Sequence, residues 1–424
     1  MTASLDQSYE VLSEGAARLY RRLSLHPGAA FGMEVVEAVA ATTPTIDHVS
    51  DCLMDLVDAN LLSSPEPEQL RFHDVIHQHA RGRAESDETG GQRRESITRI
   101  IDCYLSSANA ADHILYPQRR RPRVEYTYPD SPRVNFTDTT SALEWFDRER
   151  GNLLAVQRMA ENSGLDTETW QLAEAMWTLF IHLRYHDDWI SSHELGVTAA
   201  VRCRHPVAEA RLRTGLGIAL RDAGRPKDAL REFTSALSLR REIGDRRGEG
   251  LVLHNIGLTH RRLGDWGKAR SILQTAISVR EEAGDTRGTA RGFAALGEVE
   301  SLTGHHESAL AYLTLAREAL INTGDPYEAL TERLVGEAHL RAGDVQAARR
   351  HLTAALEVLR EAGEAFESGA IYEALGTLAQ RENDTASARR FYTRAEAVYA
   401  RLNAERDARR VADLRGSLGA GTDR

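Results

Sequence analysis

The sequence predicts an almost all-α protein, and three observations carry that prediction. Ala, Leu, Arg and Glu dominate while aromatic residues make up only 6%, and unbranched side chains lose little rotamer freedom in a helix. Gly217, Gly257, Gly297, Gly336 and Gly376 recur at steps of 40, 40, 39 and 40. Between them the apolar residues keep the spacing of a helix face rather than the alternation of a strand.

The bulk numbers bound the function. The chain has 424 residues, 42% apolar and 27% charged, and a formal net charge of −10. Such a balance gives no whole-chain attraction for a phosphate backbone, so nucleic-acid binding would need a strong local basic patch. Cys52, Cys103 and Cys203 lie far apart without CxxC spacing, which reads as free thiols in a reducing, cytoplasmic setting. "MTASLDQSYE" has no basic stretch followed by an apolar one, and nowhere do eighteen uninterrupted apolar residues occur. Neither secretion nor membrane spanning is expected.

Residues 1–86 have their own texture. "SYEVLSEGAARLYRRLSLHPG" spaces Leu12, Ala16, Leu19, Leu23 and Leu25 as one amphipathic helix stopped by Pro27 and Gly28. "MEVVEAVA" follows, then "TIDHVSDCLMDLVDANLL", a helix introduced by Thr43, then an extended "LLSSPEPEQLRFHD" that turns at Pro65 to Pro67. Helix, helix, helix, hairpin is the winged-helix order, whose default use is DNA binding through the third helix. That helix carries Asp51, Asp55 and Asp58 and no Arg or Lys. Phosphate would be repelled, so a structural or protein-contact role is expected.

"LRFHDVIHQHARGRA", residues 70–84, places His73, His77 and His79 within seven residues. His73 and His77 stand four apart, a spacing that can ligate a divalent ion on one helical face. HExxH is absent, with Val75 and Gln78 flanking the histidines in place of a glutamate base, and no cysteine is near. No metal site is expected. GxSxG is absent and no Ser, His and acid set stands out, so the chain is not read as an enzyme. "QRRRPR", residues 118–123, is a candidate patch for nucleic acid or an acidic partner, but between Pro117 and Pro122 it is expected to be an exposed loop.

The remainder divides into a helical connector at 87–165, a degenerate repeat at 166–208, five repeats at 209–414 and a polar tail at 415–424. Four columns hold the repeats in register. Seven residues after each recurring glycine comes a turn residue, Gly224, Gly264, Gly304, Gly343 or Asn383; five further on, Ala229, Ala269, Ala309, Ala348 or Ala388; seven later, Ala236, Ala276, Ala316, Ala355 or Ala395. Each copy reads as two helices with a tight turn, the turn residue being left-handed and the small residues lying where the pair approaches closely. "GD" at Gly244, Gly284 and Gly324 closes three copies. The cluster "GLGIALRDAG" at Gly215 fails GxGxxG at its last position and reads as helix packing.

This pattern resembles the tetratricopeptide repeat, with units of about 40 residues rather than 34, which implies longer helices or connections. Five such pairs bury a continuous core as an α-solenoid. In that family the first helix of each pair lines the groove. Carried over, this puts Arg211, Arg221, His254, Arg261, Arg262, Arg291, Arg333, Arg341 and Arg381 on or near it, among Asp222, Glu298, Glu337 and Glu373. Two readings follow: a basic groove for an acidic peptide or other anionic ligand, since the guanidinium fork suits carboxylate and phosphate, or a solvated face in an Arg-rich chain.

The segments "SYEVLSEGAARLYRRLSLHPG", "LMDLVDANLL" and "RFHDVIHQHARGRA", then "YLSSANAADHILYP", "SALEWFDRERGNLLAVQRMA" and "HDDWISSHELGV", resemble actinobacterial STAND-type transcriptional regulators, the large antibiotic regulatory proteins. There an NB-ARC nucleotide switch precedes a winged helix and tetratricopeptide repeats. The resemblance implies that His73 and Asp74, after Phe72, stand where that family has Met-His-Asp, a latch on the β-phosphate of ADP. The P-loop string GxxxxGK[ST] does not occur in these residues. ADP or ATP is therefore expected only if a nucleotide-binding domain is supplied in cis or in trans, and the start at "SLDQSYEVL" suggests a truncated or split regulator. Three functions are open: a sensing module that binds a protein or peptide and relays through the winged helix, a free-standing adaptor, and direct DNA binding, which the acidic third helix disfavours.

Overall fold

The computed structural model describes residues 2–41, 48–66, 69–321, 325, 327–362 and 365–418. These are helical almost throughout and pack as two compact units, residues 1–181 with 191–212 and residues 182–190 with 213–424.

The first unit opens with α1 (Thr2–Glu10) and α2 (Glu14–Leu23). The single helix expected here is two. Ser13 starts the second, its Oγ accepting the N–H of Ala16 at 3.2 Å, and a satisfied first-turn donor makes a new start cheap. Then come β1 (Ala30–Gly32), α3 (Met33–Ala40), α4 (Val49–Asp58), β2 (Ser63–Glu66), β3 (Gln69–Arg71) and α5 (Asp74–Asp87). The strands form an antiparallel sheet in the order β1-β3-β2, with Phe31 opposite Leu70 and Ser63 opposite Arg71. Strand β1 was not foreseen, because three residues are too few to show an alternation. Thr43, the turn at Pro67 and Gly324 lie outside the described residues. Leu19, Tyr20, Leu23, Val35, Val36, Leu56 and Phe72 are buried.

Two long helices follow, α6 (Gly90–Leu115) and α7 (Thr139–Asn162), each begun by a reciprocal cap, Thr89 with Gln92 and Asp138 with Ser141. Next are α8 (Asp166–Ala175), α9 (Trp177–Leu183) and α10 (His186–Arg202).

The repeats are α11 (Pro206–Asp222), α12 (Pro226–Glu242), α13 (Arg246–Arg262), α14 (Trp266–Glu282), α15 (Thr286–Leu302), α16 (His306–Leu320), α17 (Tyr327–Ala342), α18 (Val345–Ala362), α19 (Ala365–Arg381) and α20 (Thr385–Arg401), followed by α21 (Glu405–Ser417). Helices α13 and α14 have 17 residues each. The long unit therefore comes from longer helices, since the turns between them span only three residues. Helix α21 packs Val411 and Leu414 against the last pair and runs past residue 415, where a tail was expected.

The turns keep strict time. Gly164, Arg184, Arg204, Gly224, Gly244, Gly264, Gly284 and Gly304 follow one another at intervals of 20 and all have positive φ, as do Gly343, Asn383 and Asn403. Each closes a helix in the left-handed conformation. At Arg184 and Arg204 a Cβ is present, which costs roughly 1–2 kcal/mol there. That substitution hides the degenerate copy from a search for glycines.

The recurring glycines answer to packing. A Cβ on Gly217 would lie 2.5 Å from the ring of Phe233, on Gly257 2.7 Å from Leu273, and on Gly376 2.5 Å from Tyr392. The two alanine columns are fully buried. No helix among the described residues is long and apolar enough to cross a membrane.

Candidate functional site

The histidine segment separates into a core part and an exposed part. Phe72 is buried, packs edge-on against Tyr20 at 5.7 Å and stacks on His77 at 5.6 Å and 4°. His77 donates from Nε2 to the carbonyl of Ser24 at 2.9 Å. His79 lies 2.9 Å from the Tyr20 hydroxyl and 3.1 Å from an Asp6 oxygen, and with Arg83 it holds the Asp6 carboxyl below its ordinary range. His77 and His79 are thus packing residues. His73 and Asp74 stand exposed at the start of α5, with the His73 side chain making no cap bond. His77 Nε2 is spent on the Ser24 carbonyl, and among the described residues no three His, Cys, Asp or Glu converge on a metal position. On α4, Asp51, Asp55 and Asp58 are exposed beside Met54 and Val57.

A buried polar chain ties the small sheet to α6 and α7. Tyr104 donates to Glu149 at 3.1 Å, and His26 Nε2 lies 3.0 Å from the Tyr104 hydroxyl. Asn152 then bonds both Glu149, at 2.7 Å, and the carbonyl of Ala30, at 3.0 Å. With the phenol proton given to Glu149, His26 Nε2 faces the Tyr104 oxygen as donor, while Nδ1 lies 2.9 Å from the Gly28 carbonyl and 3.1 Å from the Gly28 nitrogen. Burial pushes His26 down to about 4.

The basic run 118–123 is a loop as expected, with Gln118, Arg120 and Arg123 exposed, but it is not free throughout. Arg119 pairs with Asp112 at 2.9 Å and Glu174 at 2.6 Å and lies over Trp177, while Arg121 pairs with Asp112. Its two best-placed cations are therefore consumed in anchoring the segment. Arg211, assigned to the groove, belongs to this cluster. It pairs with Glu174 and donates to the Arg120 carbonyl at 2.9 Å. Burial would raise Glu174, but Arg119 and Arg211 outweigh it and hold the carboxyl below its ordinary value.

In the second unit the remaining groove candidates lie along the first helices of the pairs and, apart from His254 and Arg381, each pairs with a carboxylate. Arg221 binds Asp222 and the Asn255 side chain, each at 2.9 Å. Asp222 also meets Arg262 at 3.8 Å and Arg184 at 3.9 Å. Arg261 pairs with Glu298. Arg291 chelates Asp325 with both oxygens at 3.1 Å and lies 4.1 Å over the Tyr327 ring, and Arg287 reaches the same carboxylate at 2.7 Å. Arg333 sits between Glu337 and Glu367, Arg341 joins Glu337 at 3.1 Å, and Arg381 donates to the Leu340 carbonyl. Burial would raise Glu337, but Arg333 and Arg341 hold it down. The strip is a lattice of paired charges rather than a bare basic surface.

Two groups differ from that lattice. His254 is only 5% exposed, and its Nδ1 has no hydrogen-bond partner. Burial, then Arg280, Arg221, Arg291 and Arg261, keeps it well below the ordinary imidazole value. Arg280 was missed by sequence reasoning because it lies on the second helix of its pair. It threads past Gly250 and Gly288, where added Cβ atoms would lie 2.5 Å from its Cγ and 2.9 Å from its Nη1. The available clue was Gly250 within its helix, unfavourable by about 1 kcal/mol without a packing reason.

Comparison with known proteins follows this geometry. The family model for the tetratricopeptide repeat matches residues 248–322 and 327–401. The chain is 28% identical over 395 residues to regulatory protein AfsR of Streptomyces griseus, covering 91% of this chain and 38% of that protein. It is 30% identical over 273 residues to regulatory protein AfsR of Streptomyces coelicolor, covering 61% and 26%. The chain thus spans between about a quarter and two fifths of these relatives' lengths. A crystal structure of a signal transduction ATPase with numerous domains, with a tetratricopeptide repeat sensor, from Pyrococcus horikoshii shares the fold with a TM-score of 0.60 at 16% identity, over 98% of this chain and 55% of that one.

Proposed function

We propose that this chain, a tetratricopeptide-repeat relative of the AfsR regulators, is the non-catalytic sensing and protein-binding part of a cytoplasmic STAND-like transcriptional regulator. The repeats take a protein or peptide segment along their first-helix face. The observation that carries this reading is the line of arginines Arg221, Arg261, Arg291 and Arg333, one on each of four successive first helices, each already oriented by a carboxylate. Ion-paired guanidinium groups are pre-organised, so a binding partner need not order flexible side chains.

His73 and Asp74 are the residues that would meet a nucleotide supplied by an NB-ARC domain, in cis or in trans. Their exposure at the start of α5 fits that role, since the backbone N–H groups of a helix's first turn also favour an anion. Binding on the repeats would then favour one packing of the regulator over another, by as much as the partner prefers that packing.

Affinity capture from the producing cell's lysate, comparing the wild-type chain with an Arg261→Glu, Arg262→Glu double variant, tests the binding face. Loss of a specific partner is expected. An unchanged set of captured proteins would remove the first-helix face from the proposal.

A further inference from the structure

We propose that His254 and Arg280, flanked by Arg221, Arg261 and Arg291, form an oxyanion site that receives a carboxylate or phosphate group of the segment bound on the first-helix face. The inference rests on the protein-binding reading and names the chemistry of one contact within it.

Three independent features carry it. The first is an imbalance of charge. Among the described residues Asp222 serves Arg184, Arg221 and Arg262, and Asp325 serves Arg287 and Arg291. At these two carboxylates more than one guanidinium shares each anion. Arg261 shows the consequence: burial, then Arg221 and Arg333, pulls it down to about 10 despite its Glu298 partner.

The second feature is a pair of buried groups with unmet hydrogen-bonding capacity. Arg280 is 3% exposed; Nη1 donates to the Gly288 carbonyl, and Nε has no partner. His254 Nδ1 has none either. Buried polar groups are rarely left unmatched, and each unmade bond costs roughly 1–3 kcal/mol. Burial first and then the surrounding cations hold His254 below the ordinary imidazole value, and a neutral ring still carries one N–H to offer an anion.

The third feature is a contrast within the repeats. Arg240 occupies the matching place one copy earlier and passes Gly248 in the same manner, with a Cβ there lying 2.6 Å from its Cδ. It ends on Asp245. Nε is unmatched in both arginines, but Arg280, with an aspartate at the matching position, Asp285, sends its Nη1 to a carbonyl instead of a carboxylate. The glycine slot and the unmatched Nε are thus shared, while the guanidinium without a carboxylate partner belongs to the copy whose first helix carries the buried histidine.

The test is thermal denaturation and titration calorimetry of the full chain with inorganic phosphate and, separately, glutarate, at constant ionic strength set with sodium chloride. Saturable stabilisation by at least one probe is expected. Phosphate alone would point to a phosphorylated group, and glutarate alone to a carboxylate. Arg280→Met and Arg291→Gln should each weaken the response at least tenfold, and Arg240→Met should leave it intact. In case Arg280→Met folds poorly, the ¹⁵N resonances of the His254 ring, assigned with His254→Phe, should move on titration of the wild-type chain. A response no greater than that of chloride, retention in a folded Arg280→Met chain, or an unmoved His254 signal overturns the site. Partner capture that persists without any anion response removes this site alone. Anion binding with no partner captured leaves the site standing and removes the protein-binding reading.

Discussion

Arg280 leaves α14 directly against Gly250 of α13, so closely that a Cβ on the glycine would sit 2.5 Å from the arginine's Cγ. The glycine is there to let a buried cation through. Gly250→Ala should therefore destabilise the chain even though alanine is the better helix former by about 1 kcal/mol. Overpacking costs about 1–3 kcal/mol, so the expected net loss is on the order of 1 kcal/mol. Adding Arg280→Ala should recover it. Thermal unfolding of the two single variants and the double variant measures the coupling, and simple additivity would show that the glycine slot does not matter.

The turn residues predict opposite effects of one substitution type. Gly264 has φ +74 and Arg204 has φ 52. Gly264→Ala should cost about 1–2 kcal/mol, the price of a Cβ in the left-handed region. Arg204→Gly should be neutral or stabilising, because it removes such a Cβ. Comparing the unfolding midpoints checks both, and a clearly destabilised Arg204→Gly chain would mean that its side chain matters more than its backbone.

The polar chain between the sheet and the connector should be intolerant of a deleted hydroxyl. Tyr104→Phe leaves Glu149 without its phenol donor and His26 Nε2 without its acceptor, both in the interior. A loss of about 1–3 kcal/mol is expected, with amide exchange accelerated in β1 and α6. Unaltered protection there would show that these elements do not depend on the chain of bonds.

Stability should fall with acid in two stages. His26, pushed down to about 4, and His254, well below the ordinary value, stay neutral in the folded protein, whereas in the unfolded chain they take protons near pH 6.5. Their contribution is present above that pH and is lost as the pH falls toward their folded values. Glu337, Glu332 and Asp222 are held below the ordinary carboxylate range; their contribution is lost only at lower pH. A first decline in melting temperature between pH 6.5 and 4 should therefore shrink in His26→Gln, while the steeper fall below it remains. A decline through the first window as large in His26→Gln as in the wild-type chain contradicts the neutral buried ring.

The repeat was legible because it is a local code. Gly217 to Gly376, the two alanine columns and Gly224 to Asn383 each answer a steric demand made within one helix pair, so each copy restates it. The charged face was legible only as a list of residues. Sequence position puts Arg291 on the face, but its partner Asp325 lies 34 residues on, in the GD that closes the copy, and nothing in a one-dimensional pattern assigns that pair. Arg211 shows the same limit: it occupies the equivalent helix position and yet pairs with Glu174 upstream.

By itself, then, the sequence determined the helical class, the period, the helix pairs and their turns, because propensity, spacing and small-residue packing act between near neighbours. The tertiary structure decided which arginines are neutralised, that two left-handed arginines extend the beat of the repeat upstream, and that His254 and Arg280 are buried with bonds unmade. Those are matters of charge, burial and hydrogen bonding between residues far apart along the chain, and they exist only once the helices have stacked.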